Sequence, residues 1–169
     1  MHQTTPTDTI CPADLQWMAE ALLLAEEAER AGEVPVGAVV VRDGLCIGRG
    51  YNAPIAMQDP THHAEIAAIR DACGNVGNYR LPDATLYVTL EPCTQCFGAL
   101  IHARIGRVVF AAREPRAGVM GSQLCLQDQL FYNHRIEVLG GVMAEQSAEL
   151  LRRFFQSRRL AGAQFGSPD

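Results

Sequence analysis

Two short stretches constrain this chain more than anything else in it: His63-Ala64-Glu65 and, thirty residues on, Pro92-Cys93-Thr94-Gln95-Cys96. Read together they are H-x-E … P-C-x-x-C, one imidazole, two thiols and a spare carboxylate. Imidazole and thiolate are the ligands a zinc ion prefers, and two cysteines at i, i+3 can share one face of a helical turn. Any fold must therefore bring the two stretches together. Three protein ligands leave a fourth tetrahedral position open, as a catalytic zinc requires. Such a zinc makes its bound water acidic enough to supply hydroxide near neutral pH. Glu65, two residues from the histidine, is placed to take that proton and hand it on.

Other readings of these residues exist. His62 rivals His63, but a ligand at 62 would put the carboxylate three residues on and out of pattern, so His62 is assigned to the surroundings of the site or the surface. A structural zinc would need a fourth ligand, for which His102 and His134 are available. His102 follows Cys96 by six residues and falls on another helix face. A redox role for Cys93 and Cys96 leaves His63 and Glu65 unused.

The periodicity places both motifs at helix starts. Pro12-Ala13-Asp14 opens a helix, and apolar spacing carries it to Arg30 before Ala31-Gly32. Val34–Val41, the turn Arg42-Asp43-Gly44 and Leu45–Gly48 read as a hairpin, with Val39–Val41 covered on both faces. Gly48 to Pro60 is a loop, in which Asn52 is either a turn former, the reading preferred on composition, or a substrate contact. A helix starts at Thr61 or His62, with His63 and Glu65 in its first turn, and runs to Cys73-Gly74-Asn75. Ala84–Leu90 is a strand broken by Pro92, and a helix runs from about Cys93 to Arg104. Two helix starts facing each other would favour thiolate and hold one ion between them. Arg107–Ala112 is a strand, Arg113–Ser122 a loop and Gln123–Leu130 a short helix. Arg135–Leu139 is a last strand, and Met143–Arg159 an amphipathic helix. Strands alternating with helices after an initial hairpin make an α/β domain with a mixed sheet.

At 169 residues the chain is expected to form one domain over 12–160, with a flexible leader at 1–11 and a tail at 161–169. No apolar run is long enough to span a bilayer, and the first residues lack a signal-peptide pattern, so a cytoplasmic location and no membrane partner are expected. Cys46, Cys73 and Cys125 are expected to be small buried hydrophobes, and Cys11 exposed. The formal charge of −5 hides an asymmetry: residues 1–99 carry 5 Arg and 13 acids (net −8), whereas 100–169 carry 9 Arg and 6 acids (net +3). All 14 basic residues are arginine, which excludes lysine Schiff-base chemistry. Arginine suits bidentate phosphate contacts and stacking on bases. The basic third is equally readable as a solvated face.

The zinc pattern occurs in nucleobase deaminases as a class. A longer set of residues is more specific. Glu33-Val34-Pro35-Val36-Gly37-Ala38-Val39, Asn52, Asp59-Pro60-Thr61, the two zinc stretches with Thr89-Leu90-Glu91 before the second, Ile101–Phe110 and Asn133-His134-Arg135 together resemble the bacterial tRNA-specific adenosine deaminases, over about residues 12–160. The resemblance implies a three-layer α/β/α cytidine-deaminase-like fold with a central five-stranded mixed sheet, and a homodimer. It implies one zinc per subunit, on His63, Cys93 and Cys96, with Glu65 as catalytic proton shuttle. The implied reaction is hydrolytic deamination of adenosine to inosine at the wobble position of a tRNA anticodon. In it, zinc-bound hydroxide attacks C6 of a base splayed from its stack. Asn52 would touch the flipped nucleoside. Asn133, Phe154 and Arg159 would contact the anticodon loop, and no DNA partner is expected. Of Phe154 and Phe155, at least one is expected in the core. The loop Arg113–Ser122 departs from the family, with Glu114, Arg116 and Ala117 where Asp, Lys and Thr are more usual. Two rival functions remain: a deaminase of a free base or nucleotide, of guanine or cytosine type, and a catalytically silent zinc-binding subunit.

Overall fold

The computed structural model describes residues 9–164. Its elements, in chain order, are α1 (Pro12–Arg30), β1 (Gly37–Arg42), β2 (Leu45–Tyr51), α2 (Pro54–Met57), α3 (Ala64–Val76), β3 (Thr85–Leu90), α4 (Thr94–Ala103), β4 (Arg107–Ala112), β5 (Glu137–Gly140) and α5 (Ala144–Gln164). The five strands form one sheet in the order β2-β1-β3-β4-β5. β1 pairs antiparallel with β2 and with β3; β3–β4 and β4–β5 are parallel.

Side-chain alternation divides the core into two layers. Val39, Tyr87, Val109 and Leu139 lie opposite one another across the three pairings of β1, β3, β4 and β5 and bury one face against Met18 and Ala21 of α1 and Val142 before α5. Their neighbours Val40, Leu86, Val88, Val108 and Phe110 bury the opposite face against α3 and α4. The sheet is thus sandwiched, as expected of a three-layer α/β/α fold, and Val39–Val41 are covered on both sides.

The first helix is tied down by charge as well as by packing. Asp14 is fully buried and accepts from Cys11 N at 3.1 Å, from Tyr87 Oη at 3.1 Å and from both Arg107 Nη atoms at 2.6 and 3.1 Å. It caps its own helix and clamps it to β3 and β4. Burial pushes its carboxyl up, but the Arg107 pair and the Cys11 amide outweigh this and hold it down at about 2.

Several boundaries differ from expectation, each for a packing reason. β2 continues to Tyr51 because it pairs with β1 back to Gly37, and α2 interrupts the expected loop. α3 starts at Ala64, so His63 is its N-cap and lies outside the first turn. The expected helix over 123–130 is only a 3-10 turn at Leu126–Asp128, since Leu124 and Leu130 are exposed and no apolar face holds a longer helix. α5 continues past Arg159 to Gln164; residues 165–169 and 1–8 lie outside the described residues. Cys125 is exposed and Cys46 and Cys73 half-buried, so none is a fully buried hydrophobe; Cys11 is exposed as expected. No helix among the described residues is long and apolar enough to cross a membrane.

Candidate zinc centre and its cavity

The site forms where the antiparallel and parallel parts of the sheet meet. Because β1 runs opposite to β3, the start of β1 lies beside the end of β3, and Gly37 N donates to Thr89 Oγ1 at 3.1 Å. The chain leaving β3 turns at Pro92 into α4, while α3 is laid down on β2. That approach is close: a Cβ on Gly50 would lie 2.4 Å from Ala68 N and 2.7 Å from Ala64 O. Gly48 and Gly50 therefore let α3 sit directly on the strand, with its N-terminus beside that of α4.

His63 caps α3 and Cys93 caps α4. His63 Nδ1 lies 3.6 Å from Cys93 Sγ and 3.4 Å from Cys96 Sγ. A tetrahedral zinc with its usual nitrogen and sulfur bond lengths has N–S edges of about 3.5 Å, so the three atoms fit it. They are a ready-made donor set, with all ligand atoms within 4.8 Å of one another. Gln95 Nε2 donates to Thr61 O at 3.0 Å and ties the start of α4 to the segment before α3.

The protons of this cluster are shared rather than independent. The Cys96 thiol donates to Cys93 and, with the nearby His63, holds the Cys93 thiol down at about 4. The same contact pushes Cys96 up, with burial and Glu65 adding to it. Cys93 in turn raises His63. A cation bound by these residues would take the place of this proton sharing by neutralising the thiolates directly. Glu65, only 5% exposed, is pushed up to about 7, first by burial and then by the charge of Cys93. It is not part of the donor set.

The alternative ligands are elsewhere. His102 is exposed, and His134 Nε2 lies 2.6 Å from Ile105 O. His62 lines a separate cavity with Leu24, Arg49 and Met57. Among the described residues the cluster offers three possible ligands, so a tetrahedral ion held there would keep a fourth position for water.

His63 and Cys93 of the cluster lie at the floor of a cavity of about 220 Å³, which the fully buried Cys96 does not line. The cavity walls are apolar, from Val34, Val36 and Leu90; Asn52, His63, Glu65, Glu91 and Cys93 supply the polar groups, and Glu114 and Ala117 close one side. That volume falls below the range of about 300–1,000 Å³ of drug-sized sites, and suits one ring system. Asn52 is buried directly after β2, inside this cavity and outside any turn.

The three residues expected to touch an RNA loop lie elsewhere. Asn133 is exposed and its Oδ1 accepts from Arg104 Nη1 at 2.8 Å. Phe154 is only 7% exposed, whereas Phe155 is 44% exposed. It is Phe155, with Arg159, Arg116, Pro115 and Glu114, that lines a groove of about 380 Å³. Glu114 is common to groove and cavity. Of the arginines on α5, Arg152 pairs with Glu145 and Glu149, Arg153 with Glu29, and Arg158 donates to Gly32 O. Three of four basic side chains are thus engaged within the chain itself.

Glu91 carries no role in the sequence reading beyond its place in the motif. It is buried and accepts from Glu114 N at 3.1 Å, from Met120 N and Ser122 N at 3.0 Å each, and from Ser122 Oγ. Burial raises its carboxyl, but these donors outweigh it and hold the group below the usual carboxylate range.

The cytidine and deoxycytidylate deaminase zinc-binding region, as a family, matches residues 12–112. The tRNA-specific adenosine deaminase of Haemophilus influenzae is 50% identical over 147 residues, covering 86% of this chain and 85% of that protein. The tRNA-specific adenosine deaminase of Bacillus subtilis is 42% identical over 146 residues, 86% of this chain and 91% of that one. A solved structure from work on A-to-I editing by tRNA:A34 deaminases at the wobble position of transfer RNA is similar at 44% identity and a TM-score of 0.78, covering 80% of this chain and 99% of that one.

Proposed function

This chain belongs to the cytidine and deoxycytidylate deaminase family and, within it, to the tRNA-specific adenosine deaminases; from that premise we propose that it hydrolyses adenosine to inosine at the wobble position of a tRNA anticodon. The observation that carries the substrate is the 50% identity, across most of both chains, to a tRNA-specific adenosine deaminase. The reaction class is supported independently by the donor set at the cavity floor.

His63, Cys93 and Cys96 hold the metal in this reading. Zinc there supplies a Lewis acid and makes hydroxide available near neutral pH. The cavity admits one ring system, so the target adenosine leaves its stack to enter. Val34, Val36 and Leu90 exclude water from the base, and Asn52 offers its amide to the nucleoside. Glu65 moves the two protons of the attacking water in turn, the first to ring N1 and the second to the amino group, so that the C6–N bond breaks, oxygen ends on C6 and ammonia leaves. Its burial favours this exchange by keeping the charged and neutral forms close in energy.

Outside the cavity, Phe155 offers an exposed ring and Arg116 and Arg159 offer guanidinium groups to the flanking nucleotides. Arg116→Ala and Arg159→Ala should each flatten the salt dependence of RNA binding by about one unit or slightly less. A slope unchanged in both variants would place the RNA elsewhere. A homodimer, one zinc per subunit and a cytoplasmic location complete the proposal. Sedimentation and metal analysis test the first two.

The deciding experiment is inosine formation in an anticodon stem-loop with adenosine at the first anticodon position, run beside free adenosine, guanine and cytidine. Conversion of the RNA alone supports the proposal. Conversion of a free base alone replaces it with the free-nucleobase reading, and no turnover by the zinc-loaded chain replaces it with the silent subunit.

A further inference from the structure

The 113–122 loop connects β4 to the rest of the chain across the mouth of the cavity. Its inner end is anchored by Val119 and Met120, each 3% exposed and part of the core. Its outer part, 113–117, buries no side chain fully and has little of its own to hold it in one place. What fastens that outer part over the cavity is Glu91. Both oxygens of this carboxylate are in use, and every side-chain partner comes from the loop. Met120 N and Ser122 N donate to Oε1; Glu114 N and Ser122 Oγ donate to Oε2. Backbone bonds complete the attachment, from Glu91 N to Ala112 O at 2.8 Å and from Val119 N to Pro92 O at 3.1 Å. Gly118 packs so closely over the carboxylate that a Cβ there would lie 2.5 Å from Glu91 Cδ. Hydrogen bonds to an ionised acceptor are about twice as strong as neutral ones, and four on one buried group fix geometry as well as energy.

We propose that Glu91 is a positioning residue that sets the mouth of the cavity: its carboxylate pins the 113–122 loop, and through Glu114 and Ala117 it determines how well the target base is engaged. The proposal rests on the deaminase reading above and adds a specificity device to it. Glu91 lines the cavity beside His63, Glu65 and Cys93, but both of its oxygens are taken up by the loop, so its effect falls on substrate engagement more than on the chemical step. Glu114 extends the device outward, because it belongs to both the cavity and the groove that holds Phe155 and Arg159.

The test approaches the contact from both sides. Glu91→Gln keeps the shape but sets an NH₂ group against donors that need an acceptor. Gly118→Ala leaves Glu91 intact and forces its partner loop away. Ser122→Ala removes one of the four donors. For each, zinc content, amide exchange at Glu114, Met120 and Ser122, and kcat and KM on the anticodon stem-loop are measured against the parent chain. Zinc content should not change, and amide exchange should accelerate. KM should rise about tenfold or more in Glu91→Gln and Gly118→Ala, with kcat within about threefold. Ser122→Ala should fall between these and the parent.

Faster exchange with unchanged KM overturns the proposal. So does loss of zinc and kcat in Glu91→Gln while Gly118→Ala behaves as the parent, because Glu91 would then serve the metal site alone. Should Glu91→Gln fail to fold, the other two variants decide. A parent inactive on the stem-loop refutes the tRNA reading instead, and the same KM comparison is then made with whichever base the parent converts.

Discussion

Glu65 and Glu91 are both buried carboxylates within two residues of a member of the His63–Cys93–Cys96 cluster, yet they have opposite characters. Glu65 is surrounded by apolar and thiol groups and is pushed up to about 7; Glu91 faces four donors and is held down. The first can exchange a proton and the second is a fixed charge. Glu65→Ala should retain zinc and lower turnover by about 10²–10⁴-fold, checked by metal analysis beside inosine formation. Unchanged turnover would remove Glu65 from the mechanism. The grouping of His63, Cys93 and Cys96 beside Glu65 was legible in the sequence because their spacing is that of a metal-ligand set. Glu91 was not, since its partners are three backbone amides and one hydroxyl, 23 to 31 residues away. Phe154 and Phe155 were also ambiguous: adjacent helical positions point about 100° apart, and only packing decides which one is buried.

At the scale of elements, the site depends on how closely α3 lies on β2. Gly48 and Gly50 permit that approach, and α3 brings His63 and Glu65 with it. Gly50→Ala should destabilise the fold by about 1–3 kcal/mol and speed zinc loss to a chelator, as the start of α3 is pushed outward. Gly74→Ala, in the same helix with nothing within 4 Å of its Cβ, is the control. It should be stabilising by up to about 1 kcal/mol. Equal effects of the two in thermal melts and chelation rates would count against this role for Gly50. Helix and strand identities were readable from periodicity for all the long elements. The exception was 123–130, where apolar spacing without a buried face yields only one short 3-10 turn.

For the molecule as a whole, the Asp14–Arg107 pair fastens the first helix to the centre of the sheet. The folded-state pKa of Asp14, about 2 against an ordinary 3.8, means that the contribution is fully present above about pH 4 and is lost as pH falls towards 2. Its size by linkage is about 2 kcal/mol. Asp14→Asn should therefore lower stability at neutral pH, and the gap to the parent chain should narrow between about pH 4 and pH 2 in denaturant titrations. A gap independent of pH would show that the pair contributes through shape alone.

The sequence by itself determined the alternation of elements, the mixed sheet and the gathering of His63, Cys93 and Cys96 near Glu65. All of these follow from local spacing, and local spacing is set by the 3.6 and 2.0 residue periods of the backbone. Only the tertiary structure decided which arginines remain available. Arg152, Arg153 and Arg158 meet acceptors on their own chain, whereas Arg116 and Arg159 line a groove beside Phe155. Only the tertiary structure, too, showed one carboxylate holding the loop at the cavity's mouth. Partners so far apart along the chain leave no periodic trace, because what selects them is proximity in the folded molecule.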